Sequence, residues 1–132
     1  MVFVDTSFLY AATDERDSLH SDAARIVAGL EDTDLVTTTH VLGESWTLTR
    51  RRLGHAAASR LVDGIRGSRL YTIVHADLDA ESAAFDWLLR HDERSYSFVD
   101  AVSFQTMRGR GIGVAMAFDA DFEAAGFQTL QA

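Results

Sequence analysis

The chain has 132 residues, enough for one hydrophobic core and too few for two, and 47% apolar with 24% charged residues marks a folded globular protein and excludes disorder as the main state. Its basic residues are all arginine, 12 against 20 acids for a net charge of −8, and it has neither lysine nor cysteine. Those absences exclude disulfides, thiolate metal sites and cysteine nucleophiles, as well as P-loop and Schiff-base chemistry, leaving oxygen, nitrogen and bound ions to do any chemistry.

Val2 to Val4 is a short apolar run ending in Asp5 and reads as a buried strand, with Asp5 able to cap a turn through Thr6 and Ser7. Leu19, Ala23, Ile26, Val27 and Leu30 repeat at helical spacing, with Gly29 near the end of that helix. Asp34 to Thr38 predicts a second strand and Val41 to Arg52 a helix. Gly54 interrupts, and the helical spacing resumes from His55 to Arg66 before Gly67 stops it. Leu70 to Val74 is a third strand by its β-branched and aromatic content. Asp77 or Asp79 caps a helix through Ala84, Phe85, Leu88 and Leu89, followed by a polar loop over residues 90–97. Ser97 opens a helix to about Arg108. Gly109, Gly111 and Gly113 then punctuate a turn into a fourth strand, Val114 to Phe118, and Phe127 to Leu130 forms a short edge strand.

Alternation of strands and helices without internal repeat or linker predicts a single α/β domain over 1–132: a three-layer α/β/α sandwich with a four- to five-stranded, mainly parallel sheet. No apolar run reaches about 18 residues and no basic, cleavable leader opens the chain, so no membrane association and a cytoplasmic location are expected.

In such sheets ligands collect at the carboxyl ends of the strands. Asp5 and Asp119 stand at two strand ends, Glu44 in the first turns of the helix after strand two, and Asp100 in the first turn of the helix before strand four. Each also has a structural explanation. Ser97-Phe98-Val99-Asp100 fits a capping box, Asp119 can cap a short helix through Phe122 and Ala125, and Glu44 can lie on a solvated helix face. Four independent caps have no reason to share one sheet edge. Carboxylates so gathered repel one another and need cations to stay ionised, and hard oxygen ligands select Mg²⁺, with Mn²⁺ as the substitute.

The segments Val-Asp5-Thr6-Ser7, Val41-Leu42-Gly43-Glu44, Ser97-Phe98-Val99-Asp100-Ala101 and Phe118-Asp119-Ala120-Asp121-Phe122 together resemble the PIN-like fold of PIN-domain ribonucleases, specifically the VapC toxins of toxin-antitoxin modules. The resemblance spans nearly the whole chain. It implies that Asp5, Glu44, Asp100 and Asp119 are catalytic and that Asp5, Asp100 and Asp119 ligate Mg²⁺. Ser7 and Asp121 support them, Ser7 by hydrogen-bonding a ligand or water. Ala117 stands where the family often has threonine, and Asp121 can share or take the fourth acidic role. The implied activity is hydrolysis of an RNA phosphodiester bond to a 5′-phosphate and a 3′-hydroxyl, which inhibits translation. The implied substrate is the sarcin-ricin loop of 23S rRNA, otherwise tRNA. The implied partner is a VapB antitoxin whose basic arm enters the acidic site, and a homodimer is implied as well.

Arg50, Arg51 and Arg94 are the candidate RNA contacts, although arginines at the end of a helix also complement its dipole. The five histidines form no zinc spacing, and Trp46 and Trp87 read as core or interface anchors. Two other functions compete: a PIN-like module that binds without cutting, and a phosphatase-type hydrolase with an acidic site. Phosphoaspartate enzymes normally require a lysine near the phosphate, which this chain lacks.

Overall fold

A strand covered by helices on both faces must be apolar throughout, and Val2, Phe3 and Val4 are all buried. In the computed structural model, which describes residues 1–132, they form β1 (Val2–Val4) at the centre of a five-stranded sheet. β2 (Leu35–Thr38) and β4 (Val114–Met116) flank it, β3 (Tyr71–Val74) lies outside β2, and β5 (Gln128–Thr129) outside β4. All pairings are parallel, and Phe3 stands opposite both Val36 and Ala115.

The connections supply seven helices: α1 (Thr6–Thr13), α2 (His20–Ala28), α3 (Thr39–Leu53), α4 (His55–Gly67), α5 (Leu78–Arg90), α6 (Phe98–Arg110) and α7 (Asp121–Ala124). Right-handed crossovers put α1 to α4 on one face and α5 to α7 on the other, the α/β/α sandwich that the alternation predicts. Phe3, Phe104 and Phe122 are among the largest fully buried side chains. Phe122 meets Phe104 edge-on at 5.0 Å and Phe3 at 6.1 Å, joining the sheet to α6 and α7. Each such phenyl contributes about 1.5–3 kcal/mol by leaving water. No helix is long and apolar enough to cross a membrane.

Two local expectations change. The segment after Asp5 is a helix of eight residues, where a turn was expected. Phe8, Leu9, Tyr10 and Ala11 are all buried, so α1 lacks the one-sided apolar stripe that marks a surface helix. β4 ends at Met116, two residues early, because the Phe118 amide donates to the Ser7 hydroxyl instead of a neighbouring strand.

Chain order sets the position of the site. β1, β2 and β3 progress toward one edge, and β4 then returns to the other side of β1. The order therefore reverses between β1 and β4, the place in an open α/β sheet where ligands collect beside the carboxyl ends of the strands.

Candidate active site

Asp5 follows β1 directly and is the N-cap of α1. Its Oδ2 accepts from the Ser7 amide at 3.1 Å and from the Ser7 hydroxyl at 2.7 Å. Its own amide donates to the Met116 carbonyl at 3.1 Å, so the last rung between β1 and β4 fixes its backbone. The Ser7 hydroxyl also accepts from the Phe118 amide at 3.0 Å. One oxygen thus links the end of β1 to the segment that carries Asp119.

Asp100 enters from the other face of the sheet, in the first turn of α6. The capping box is complete: the Asp100 amide donates to Ser97 Oγ at 2.9 Å, and the Ser97 amide donates to Asp100 Oδ2 at 3.0 Å. The cap engages one oxygen only, so capping and a place in the acidic cluster are compatible. Asp119 lies three residues beyond β4 and accepts from the Asp121 amide through Oδ1 at 3.2 Å. The N-cap of α7 is Ala120, so Asp119 serves the start of that helix without being its cap residue.

Oxygens of Asp5, Asp100 and Asp119 all lie within 4.8 Å of one another, with Asp5 and Asp100 buried and Asp119 half-buried. Burial pushes Asp100 up to about 6, and the charge of Asp5 adds to the effect against the opposing pull of the Ser97 amide. Burial likewise pushes Asp119 up to about 7, reinforced by the charges of Asp5 and Asp100. The protein supplies this cluster with orienting donors and no cation. A hard divalent ion fits such a donor set, because three carboxylate oxygens are the ligands that Mg²⁺ and Mn²⁺ prefer and the ion's charge favours the ionised forms.

The other sequence-derived residues fall around this cluster. Glu44 is exposed on α3 and stands outside the three-acid group. Its neighbour Ser45 is buried and donates to Thr6 Oγ1 at 3.4 Å, which donates in turn to the Val41 carbonyl at 3.4 Å. One turn before Glu44, His40 packs edge-on against Phe98 at 5.5 Å. The early turns of α3 are therefore docked against the starts of α1 and α6, the helices that carry Asp5 and Asp100. Arg50 and Arg51 are exposed in the last turn of α3, about 9 Å of helix beyond Glu44.

Asp121 also stands outside the three-acid group, and its Oδ1 accepts from Arg94 Nε at 2.9 Å. Arg94 belongs to the 91–97 loop, whose shape rests on Trp87. The His91 ring stacks on Trp87 at 4.1 Å, Tyr96 meets it edge-on at 4.7 Å, and His91 Nδ1 contacts Glu93 Oε1 at 2.8 Å. The Arg94–Asp121 pair and the bond from Phe118 to Ser7 span 27 and 111 residues of chain, distances at which no local pattern carries a signal.

Comparison with known proteins shows the family of the chain. Residues 2–128 match the model of the PIN domain family. The 23S rRNA-specific endonuclease VapC20 from two strains of Mycobacterium tuberculosis, CDC 1551 / Oshkosh and ATCC 25618 / H37Rv, is 50% identical over 127 residues, covering 96% of this chain and 95% of the relative. The crystal structure of Mycobacterium tuberculosis VapC20, described as a sarcin-ricin loop cleaving toxin, matches with a TM-score of 0.95 and 48% identity over the full length of both chains. The chain belongs to the PIN-domain family, as one of its VapC-type endonucleases.

Proposed function

We propose that this protein is a Mg²⁺-dependent endoribonuclease toxin that cuts the sarcin-ricin loop of 23S rRNA, inhibits translation and is neutralised by a VapB-type antitoxin. The observation that carries this reading is the gathering of Asp5, Asp100 and Asp119 within 4.8 Å at the switch point of the sheet. The half-identical relatives named for cleavage of 23S rRNA support the choice of substrate.

In this reading Asp5, Asp100 and Asp119 hold the ion, and Glu44 completes the acidic set from α3. Bound there, Mg²⁺ supplies the charge that makes water a nucleophile near neutral pH and offsets negative charge on the phosphate. Ser7 keeps the Asp5 carboxylate aimed. The amides of Ser97 and Asp121 hold Asp100 and Asp119 each by one oxygen, which limits how far these carboxylates rotate when RNA binds. A cluster of negative charge also suits a basic antitoxin arm as a competitive plug.

Homodimer formation belongs to the same proposal. Leu78, Phe85 and Leu89 on α5 are 84%, 54% and 85% exposed, and positions 78, 85 and 89 fall on one side of a helix. A self-complementary apolar stripe suits a two-fold interface.

The test is incubation of the purified chain with bacterial ribosomes and total RNA, with and without Mg²⁺, followed by mapping of new 5′ ends. One Mg²⁺-dependent cut in the sarcin-ricin loop is expected, whereas cuts in tRNA would redirect the substrate assignment. Equal RNA damage by the wild type and by an Asp5→Ala, Asp100→Ala variant would sink the nuclease assignment.

A further inference from the structure

From the pairing of Asp121 with Arg94 at the edge of the carboxylate cluster, we infer that Asp121 is a positioning residue that holds Arg94 for an RNA phosphate, not a metal ligand. The inference rests on the nuclease reading above and adds to it the group that receives the substrate backbone.

Three observations support it. Asp121 is two residues from Asp119, yet its carboxylate is absent from the set of oxygens that approach one another. Its Oδ1 is occupied by Arg94 Nε at 2.9 Å. Third, the contact uses the Nε–H edge of the guanidinium, which leaves the two terminal nitrogens for another acceptor; a phosphate oxygen matches that fork.

Charge and loop shape give the arrangement a purpose. Three gathered carboxylates in a chain of net charge −8 repel a polyanion, and a guanidinium held at the rim by its Nε edge offers its terminal donors to the backbone against that repulsion. Arg94 is 41% exposed on its side chain against 21% for Asp121, so the acid is the better anchored member and the arginine the one that can be reached. The 91–97 loop is itself held by His91 stacked on Trp87 and Tyr96 edge-on to it, so the arginine sits on a shaped support. The Asp121 amide meanwhile donates to Asp119, so one residue aligns a cluster acid with its backbone and a phosphate-seeking cation with its side chain.

The test is a double-mutant cycle of Asp121→Ala and Arg94→Ala with separate readouts for metal and RNA. Mn²⁺ binding to the full chain is measured by titration calorimetry. Binding of a labelled sarcin-ricin hairpin RNA is measured in Ca²⁺ over a range of salt, and cleavage of the same hairpin in Mg²⁺. Arg94→Ala is expected to lower the slope of log affinity against log salt by about 0.7, the loss of one single-strand phosphate contact. Asp121→Ala is expected to weaken RNA binding roughly fivefold alone and less than about twofold when Arg94 is already alanine, the mark of two residues acting as one. Mn²⁺ affinity is expected to stay within about twofold throughout, since no ligand is lost. Arg94→Lys keeps a charge opposite Asp121 but loses the fork, so it lowers RNA affinity with an unchanged melting temperature and covers the case in which an alanine variant folds poorly.

A loss of Mn²⁺ affinity of about tenfold or more on Asp121→Ala would tie the Asp121 side chain to the metal site and overturn the inference. So would an unchanged salt slope in Arg94→Ala, which would reduce the pair to a tie between the loop and α7. A wild-type chain that binds the hairpin and leaves it uncut in Mg²⁺ counts against the nuclease reading, while the binding cycle still decides the role of Arg94.

Discussion

Asp119 and Asp121 lie two residues apart, both half-buried, and the fold treats them in opposite ways. Asp121 faces the guanidinium of Arg94 at 2.9 Å, a charge neutralised within the chain. Asp119 is half-buried beside the carboxylates of Asp5 and Asp100, and burial, reinforced by their charges and that of Asp121, raises its pKa to about 7. The acid that positions a side chain is given its counterion by the protein, whereas the acid proposed to hold an external ion has no such partner. That imbalance favours Asp119 as the proposed fourth acid, a choice on which sequence position alone is silent.

Removal of the cation-seeking acids gives the largest expected effect. Asp5→Asn with Asp100→Asn is expected to lower the rate of RNA cleavage by roughly a thousandfold or more, the loss of several kcal/mol of charge stabilisation. Single-turnover cleavage of the hairpin RNA checks this. An equal loss of Mn²⁺ binding and cleavage in Asp121→Ala would erase the contrast between the two acids.

Ser7→Ala removes the hydroxyl that Asp5 and the Phe118 amide share. It is expected to cost about 1–3 kcal/mol of stability, as an amide and a buried carboxylate both lose a partner, with Ser7→Thr largely restoring it. Urea denaturation of the metal-free proteins measures the loss, and an undamaged Ser7→Ala protein would show that the cluster does not depend on this bridge.

The pH response sharpens the comparison next. Asp100 and Asp119 are raised from the ordinary 3.8 to about 6 and about 7, so between about pH 4 and 7 the folded chain binds more protons than the unfolded one. Their contribution to metal-free stability therefore falls as pH rises through that window and is least favourable above it. After allowance for solvent screening the change is on the order of 1–2 kcal/mol. It is read as the difference in urea midpoint between pH 5 and pH 8 for the wild type, minus the same difference for an Asp100→Asn, Asp119→Asn variant. Mg²⁺ is expected to stabilise the protein more at pH 8 than at pH 5, because protons compete for the same oxygens. A metal-free wild type whose stability rises from pH 5 to pH 8 relative to that variant would contradict the cause assigned to both shifts.

The smallest effect is expected at the far end of α3. Arg50→Ala with Arg51→Ala should change kcat/KM for the hairpin by less than about threefold, since these arginines are solvated and well removed along the helix from the cluster. A loss as large as that of Arg94→Ala would extend the RNA path across α3.

The fold was legible where periodicity is clean. β1 with its three apolar residues, α3 with its interrupting Gly54, and α6 with its Ser97 cap all stand close to where spacing and turn chemistry put them. α1 escaped because a helix buried over most of its surface shows no contrast between faces. In the candidate site, the convergence of Asp5, Asp100 and Asp119 was legible because each stands at a helix start or just beyond a strand, and the topology does the gathering. For Glu44 the solvated helix face was one of the two readings open, and the structure shows it exposed on α3. The pairing of Asp121 with Arg94 was the least legible feature, since a loop and a distant short helix meet only once the sheet has closed.

The bond between the Ser7 hydroxyl and the Phe118 amide joins residues separated by 111 positions. The acidic cluster therefore exists only once the segment carrying Phe118 and Asp119 has been made and has folded back beside β1, so it is a product of folding and not of any one stretch of chain.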